Sequence, residues 1–413
     1  MAKYGLLGER LGHSFSPQIH ARLADYDYTL IEKSPDKVEA FLKSGDFAGI
    51  NVTIPYKKTV IPLCDELSSA AEKIGSVNTI VRREDGSLYG DNTDYAGFLY
   101  MVKSSGVELA GKKVLVLGDG GAACTVRAVL ADLGAGETVT ISRRGDNNYT
   151  NLDRHSDAAV IVNATPVGMY PKVDAAALDL AMFPKCEAVF DLIYNPARTK
   201  LLLQAEELGM KAVNGLIMLV EQARRASELF TGADVPDEAV ERIRAEIAAE
   251  TMNIALIGMP GCGKSTTGRK IAKILGRKFV DMDTVIAERA GKSIPQIFAE
   301  DGEPAFRELE TAVLDDISKE SGLVIATGGG VVTRPENLRL LRRNSRTVWL
   351  RRDIGALPTD GRPLSQKYTP ARLAQERMPL YNSWAELAAD AVTPTKTANE
   401  IISALGLRKN KGR

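Results

Sequence analysis

The chain has 413 residues, 44% hydrophobic and 26% charged, with 53 basic and 53 acidic side chains and a formal net charge of zero. That length calls for two or three domains, and the composition is that of a soluble globular protein. With no basic excess a nucleic-acid partner is not expected, and no apolar run is long enough to span a bilayer, so no membrane partner is expected either. The Met-Ala-Lys-Tyr start lacks an apolar signal segment, and the four cysteines (Cys64, Cys124, Cys186, Cys262) show no C-x-x-C spacing. They suit reduced thiols, and the expected location is the cytoplasm.

In chain order, Tyr4–Leu7 predicts a short strand and Gly8–Gly12 a turn. Ser14-Phe15-Ser16-Pro17 then opens a helix to about Leu23, with Pro17 suiting its first turn. Either serine alone would be given a capping role. Gly49–Lys57 predicts a strand ending in a turn, with Asn51 and Thr53 on one side by the two-residue period. Polar side chains in an apolar strand need partners, which a ligand can supply. Ser76-Val77-Asn78-Thr79 and Gly90-Asp91-Asn92-Thr93-Asp94 are each expected to be turns. Their recurrence between apolar strands suggests polar groups converging on a hydroxylated small molecule.

Taken together and in this order, Ser-x-Ser-Pro, Asn-Val-Thr-Ile-Pro-Tyr-Lys, Val-Asn-Thr and Asp-Asn-Thr-Asp resemble shikimate dehydrogenase. The resemblance implies that Ser14 and Ser16 bind the substrate carboxylate, and that Thr53, Asn78 and Asp94 bind the ring hydroxyls. It also implies that Lys57 and Asp94 form the catalytic pair. The chemistry is coherent: reducing a ketone by hydride creates a developing alkoxide, which needs a proton donor nearby. With no zinc-ligand cluster in the sequence, a lysine kept charged by an adjacent carboxylate can serve. The bland alternative for Lys57 and Asp94 is a surface ion pair.

Lys112–Leu117 predicts a strand running into Gly118-Asp119-Gly120-Gly121-Ala122-Ala123, with a helix to about Leu133. This fits G-x-G-x-x-[GA] and resembles a dinucleotide-binding turn, with Gly118, Gly120, Gly121 and Ala122 as cofactor contacts. Asp119 stands where the family usually has a small residue. The next strand, Glu137–Ile141, ends in Ser142-Arg143-Arg144. An NAD site usually places an acid there, whereas Arg143 and Arg144 suit a 2′-phosphate, so NADP(H) is the expected cofactor. Gly145–Ala159 is too short for a full helix and strand, and one crossover helix is expected to be missing. Val160–Met169, including Asn163 and Thr165, resembles the family's cofactor-contacting loop. Asp191–Pro196 and Asn214–Leu219 continue the resemblance, which implies Gly215 and Met218 beside the nicotinamide and Gln222 on the substrate. By pattern alone, Leu216–Leu229 is an amphipathic helix.

A charged helix is predicted over Asp234–Glu250, followed with almost no linker by Gly258-Met-Pro-Gly-Cys-Gly-Lys-Ser-Thr266. This fits the phosphate-loop pattern G-x-x-x-x-G-K-[ST] between a predicted strand (Asn253–Ile257) and helix (Lys264–Leu275). Gly258, Gly261, Gly263 and Thr266 would cradle the phosphates of ATP, Lys264 would reach the β- and γ-phosphates, and Ser265 would hold Mg²⁺. Phe279–Asp283 predicts a second strand with its two acids on one face. Phe306–Glu310 predicts a helix whose arginine would ordinarily be taken for surface. Leu323–Ala326 predicts a strand leading to Thr327–Gly330, whose glycines let a ligand approach the backbone. Asp360–Leu364 falls in a polar stretch, and Arg377–Tyr381 is expected to interrupt a helix.

With the phosphate loop, these stretches resemble shikimate kinase in order and spacing. The resemblance implies that Asp283 orients or deprotonates the attacked hydroxyl and that Asp281 supports Mg²⁺ through water. Arg307 and Arg377 would clamp the shikimate carboxylate, a task suited to a guanidinium, with Gly329 and Gly330 adding backbone contacts. Arg362, on a lid over about Gly355–Leu364, would stabilise charge on the transferring phosphoryl group. That lid is short, and Ser365 replaces the usual apolar residue.

The expectation is therefore an α/β chain in three parts: a substrate domain over 1–105, a Rossmann-like NADP domain over 106–250, and a P-loop, NMP-kinase-like domain over 252–413. Its substrates would be small molecules, 3-dehydroshikimate and then shikimate, reduced with NADPH and phosphorylated with MgATP. The alternatives are a quinate-type dehydrogenase fused to another small-molecule kinase, or a non-catalytic ligand-binding first half. The oligomeric state is left open by the sequence.

Overall fold

The apolar strand β1 (Tyr4–Gly8) lies inside a six-stranded mixed sheet in a computed structural model that describes residues 3–12, 14–357 and 368–408. Arg362, the remainder of Asp360–Leu364, and Ser365 lie outside the described residues. By its internal contacts the chain forms two compact units, Met1–Asn195 with Thr199–Ile247, and Pro196–Arg198 with Ala248–Arg413. Among the described residues, none of the helices is long and apolar enough to cross a membrane.

The first sheet continues with β2 (Tyr28–Glu32), β3 (Gly49–Val52), β4 (Glu66–Leu67), β5 (Thr79–Arg82) and β6 (Leu88–Asp91), in the order β2-β1-β3-β5-β6-β4. β1 pairs in parallel with β2 and β3, while β5 runs antiparallel to β3 and β6. Two stretches expected to be turns are thus partly regular. Thr79 opens β5, Gly90 and Asp91 close β6, and Asp94 begins the helix Asp94–Ser105. The reason is that their polar groups are satisfied inside the protein: Asn92 Nδ2 donates to the Ser76 carbonyl at 2.8 Å, and Thr93 N–H to Asn78 Oδ1 at 2.7 Å.

A second, wholly parallel sheet holds β7 (Lys113–Leu117), β8 (Glu137–Ile141), β9 (Val160–Asn163), β10 (Ala188–Asp191) and β11 (Lys211–Asn214), in the order β11-β10-β9-β7-β8. Strands covered on both faces read as continuous apolar runs, which is why Val114–Leu117 and Val160–Val162 are fully buried. Between β8 and β9 the chain makes only a short 3₁₀ turn, Leu152–His155, in place of a crossover helix, as the length of that stretch predicts. The path leaves β7 towards β8, then returns across β7 to β9. The strand order therefore reverses between β7 and β9, and a crevice at such a switch point is where open parallel sheets bind ligands.

The second unit carries β12 (Asn253–Ile257), β13 (Phe279–Asp281), β14 (Val324–Ala326), β15 (Ser345–Arg351) and β16 (Leu387–Asp390), parallel in the order β13-β14-β12-β15-β16. Two expectations fail here. The strand over Phe279–Asp283 stops at Asp281, whose side chain accepts the Asp283 N–H at 3.2 Å and caps the helix Met282–Ala290. Aspartate is a strong helix cap, so Asp283 sits in a first helical turn rather than beside Asp281 on a strand face. Arg377–Tyr381 does not interrupt its helix, which runs from Pro370 to Trp384 through Pro379. Pro379 lacks the N–H that would bond to Gln375. Burial of Leu373, Ala374, Tyr381 and Trp384 in the core outweighs that loss.

Candidate active sites

β3 ends just before a turn that presents Lys57, and the helix Asp94–Ser105 begins with Asp94. Lys57 Nζ lies 2.6 Å from Asp94 Oδ2, with the two side chains 22% and 13% exposed. The pair is sheltered enough to be well ordered and open enough to meet a ligand. Gly97, one turn beyond Asp94, is where the helix Leu216–Thr231 crosses. A Cβ there would sit 2.7 Å from the Met218 carbonyl and 3.2 Å from Gln222 Cβ. This close crossing brings Asp94, Met218 and Gln222 to one place. Asn78 is fastened by Thr93, and the Thr93 hydroxyl lies 3.5 Å from Gln222 Oε1. Ser14 and Ser16 form their own pair, Oγ to Oγ 3.1 Å, at the start of the helix Ser16–Leu23. Thr53 N–H donates to the Leu7 carbonyl at 2.9 Å, which places Thr53 just past the end of β3.

The glycine turn after β7 adjoins the switch point. Gly118 has φ of 103°, a left-handed conformation that favours glycine, and a Cβ there would meet Thr165 Cγ2 at 3.0 Å. The β7 and β9 loops are therefore in contact. Thr165 is pinned by Asn163 Oδ1, which accepts its N–H at 3.1 Å and its hydroxyl at 2.6 Å. Asn163 in turn donates to Asp191 Oδ1 at 3.0 Å. Asp191 is fully buried, and burial raises its carboxyl to about 6, against the pull of Thr199, Ile193 and Asn163. A dinucleotide fits this turn: the helix Gly121–Asp132 has no side-chain cap, so its first N–H groups are left for a ligand. A Cβ at Gly120 would meet nothing within 4 Å, and one at Gly121 only Ser76 Oγ at 3.7 Å. Asp119, Arg143 and Arg144 are exposed, and neither arginine has an ion-pair partner among the described residues. Gly215 packs its Cα side onto the Leu192 carbonyl, leaving no room for a side chain.

In the second unit, the phosphate loop opens into a cavity of about 430 Å³. Its walls include Lys264, Ser265, Thr266, Asp281, Asp283, Arg307, Glu310 and Arg377. Gly258, Gly261 and Gly263 all have positive φ, and the helix Lys264–Leu275 starts without a side-chain cap. Lys264 Nζ donates to the carbonyls of Gly258 at 2.9 Å and Met259 at 3.0 Å, so the ammonium is held over the loop. This is a fitting cradle for a polyphosphate. Ser265 and Asp281 face the same cavity, and Mg²⁺ needs only one or two protein ligands.

Arg307 is not a surface residue. It is buried, donating to Glu310 Oε2 at 2.6 Å and to Glu303 Oε1 at 3.2 Å. A Cβ on Gly328 would collide with Glu310 Oε1, one on Gly329 with Pro260, and one on Gly330 with the Arg307 guanidinium. Arg377 donates to the Gly329 carbonyl at 3.2 Å, and the Tyr381 hydroxyl donates to the same oxygen. The glycine run thus meets Arg307 at Gly330 and Arg377 at the Gly329 carbonyl. Two charged residues of this cavity carry no role in the sequence reading. Glu310 is buried, its carboxyl raised chiefly by burial and opposed by Arg307. Its spacing of three from Arg307 on a helix was the available signal. Arg352, just past β15, lines the cavity with no sequence signal beyond its charge.

A lysine–carboxylate pair near a dinucleotide crevice and a phosphate-loop cavity lined by three arginines define an oxidoreductase joined to a phosphotransferase. Comparison with known proteins gives these classes their families. The family profile described as shikimate kinase matches residues 260–406, and that described as shikimate dehydrogenase substrate binding domain matches 6–80. The shikimate dehydrogenase (NADP(+)) of Clostridium perfringens (strain ATCC 13124) is 37% identical over 268 residues, covering 60% of this chain and 98% of that protein. A chorismate mutase/shikimate 5-dehydrogenase fusion protein from Clostridium acetobutylicum is 37% identical, with a TM-score of 0.56 over 59% of this chain and 96% of that one. Shikimate 5-dehydrogenase from Thermus thermophilus, solved in complex with NADP(H) and shikimate, is 32% identical with a TM-score of 0.55, covering 59% and 98%. The chain belongs to the shikimate dehydrogenase family and carries a shikimate kinase domain after it. It is a bifunctional enzyme of the shikimate pathway.

Proposed function

We propose that the first unit reduces 3-dehydroshikimate to shikimate and that the second phosphorylates the 3-hydroxyl of that product. The observation that carries the first half is the 2.6 Å contact of Lys57 with Asp94. Lys57 gives a proton to the oxygen that becomes an alkoxide, and Asp94 keeps the ammonium aimed. Ser14 and Ser16 take the carboxylate of the ring acid, while Thr53, Asn78, Asp94 and Gln222 take its hydroxyl side. NADPH supplies the hydride when bound along Gly118, Gly120, Gly121, Ala122, Asn163 and Thr165, with Gly215 and Met218 at its nicotinamide and Arg143 and Arg144 at its 2′-phosphate. The substrate part runs over 1–105, the cofactor part over 106–250 and the kinase over 252–413.

In the second unit Asp283 orients the attacked hydroxyl and takes its proton. Arg307 and Arg377 clamp the carboxylate, and the N–H groups of Gly329 and Gly330 support it. Lys264 with the loop at Gly258, Gly261, Gly263 and Thr266 holds the phosphates, Ser265 holds Mg²⁺, and Asp281 supports Mg²⁺ through water. MgATP supplies the phosphoryl group when bound there, and Arg362 is assigned to the charge on that group. Small acids rather than nucleic acids or membranes are the partners of both sites. The four free cysteines suit a reducing compartment, which supports the cytoplasm as the place of work.

Two substitutions test these roles in the full-length chain. Lys57→Ala should lower hydride transfer by about 10²- to 10⁴-fold and spare phosphorylation, and Asp283→Asn should do the reverse. A variant that kept its own reaction at the wild-type rate would remove that residue from the scheme.

A further inference from the structure

The helix Ser16–Leu23 buries two polar side chains one turn apart, Ser16 at its start and His20 within it. The His20 ring lies flat against the Tyr28 ring, with centroids 3.8 Å apart and planes 7° from parallel. Its Nδ1 is 2.6 Å from the Tyr26 hydroxyl, and its Nε2 has no hydrogen-bond partner among the described residues. From Tyr28 a line of hydrogen bonds continues inward. The Tyr28 hydroxyl donates to Asn51 Oδ1 at 2.7 Å, and Asn51 Nδ2 donates to Thr79 Oγ1 at 3.0 Å. The Thr79 hydroxyl donates to Asn78 Oδ1 at 3.1 Å, and that oxygen also takes the Thr93 N–H at 2.7 Å. Beyond Thr93 lies Gln222.

This is a costly way to fill a core. Burying an imidazole, a carboxamide and hydroxyls is unfavourable unless each is bonded, and apolar side chains of the same volume would pack there without that requirement. Burial drives the His20 imidazole down to about 3, with Asn51 opposing, so the ring is neutral near pH 7 and carries no charge to the site. What a polar line does that an apolar one cannot is fix orientation, because the hydrogen bonds from Tyr28 through Asn51 and Thr79 to Asn78 are directional. Asn51 faces Thr79, the neighbour of Asn78, across the β3–β5 pair, and His20 is one turn from Ser16.

We propose that His20, Tyr28 and Asn51 are positioning residues for the dehydrogenase substrate. They lock the Asn78–Thr93 pair in register with the helix that carries Ser16, and so set the spacing between the groups that take the carboxylate and those that take the hydroxyls of a ring acid. This rests on the substrate-site assignment above.

The test is steady-state kinetics of shikimate oxidation in the full-length chain. Tyr28→Phe keeps the ring that stacks on His20 and removes only the hydroxyl that reaches Asn51. The KM for shikimate should rise about 3- to 10-fold, while the KM for NADP⁺ and the kinase rate stay within about twofold. His20→Phe, which keeps a stacked ring, should shift the same constant alone. In an Asn78→Ala background, Tyr28→Phe should add little, because its effect passes through Asn78. A fall in thermal stability with no change in shikimate KM would reduce the line to packing and overturn the proposal. Full additivity with Asn78→Ala would do the same. If Asn78→Ala itself left the shikimate KM unchanged, the substrate-site assignment would fail instead.

Discussion

In the first unit the cation–carboxylate pair is Lys57 with Asp94, with side chains 22% and 13% exposed, whereas in the second Arg307 and Glu310 are 8% and 0% exposed. The difference matches what each pair has to do. In the proposed scheme Lys57 meets a substrate oxygen and exchanges a proton, which requires that it stay reachable. In the same scheme Arg307 presents a fixed guanidinium to an anion, and the buried Glu310 carboxylate holds it in place. The two sites also differ in what lines them. In the first, polar side chains from separate elements are held by one another, as Asn78 is by Thr93 and Thr79. In the second, much of the wall is backbone, with three successive glycines pressed against Glu310, Pro260 and Arg307 in turn. One site is therefore sensitive to the loss of polar groups, the other to the gain of a single carbon.

Gly330→Ala breaks this contrast most sharply. The added Cβ would land on the Arg307 guanidinium and push it off Glu310. The KM for shikimate in the kinase reaction should rise by about 100-fold, the loss of a strong charged hydrogen bond, with oxidation of shikimate by the first unit unchanged. Unaltered kinase kinetics would show that the carboxylate is clamped elsewhere. Arg143→Ala is a milder blow to the first unit. The KM for NADPH should rise about 10-fold, that for NADH should stay within about twofold, and equal changes in both would remove Arg143 from the 2′-phosphate.

The third test concerns stability rather than turnover. Asp191 is raised to about 6 in the fold, above its ordinary value near 4, so its contribution is fully present below about pH 4 and lost as pH rises through about 6. That difference corresponds to roughly 3 kcal/mol. Unfolding of wild-type protein should show that loss between about pH 4 and pH 7, and Asp191→Asn should flatten it. An identical pH profile in the two proteins would mean that the Asp191 carboxyl does not titrate in this range.

The strand–glycine–helix units at Lys113–Gly121 and Asn253–Lys264 were legible because doubly covered parallel strands are unbroken apolar runs, and their turns need glycine. The missing crossover helix was legible from length alone. Local competition hid the rest. Asp281 could extend a strand or cap a helix, and capping won. Pro379 marks a break by its chemistry, but packing of Tyr381 and Trp384 carries the helix through. Arg307 looked like a surface residue because a helix pattern does not reveal which charged face is walled in. Pairing of Lys57 with Asp94, 37 positions apart, followed from family resemblance and not from spacing. The line from His20 to Asn78 could not be read at all, because it joins a helix, three strands and the loop before β5.

The most direct measurement supplies the full-length chain with 3-dehydroshikimate, NADPH, ATP and Mg²⁺, and follows the products by mass spectrometry. The account predicts shikimate 3-phosphate, with NADPH and ATP consumed in equal amounts. Accumulation of unphosphorylated shikimate, or no consumption of NADPH, would contradict it.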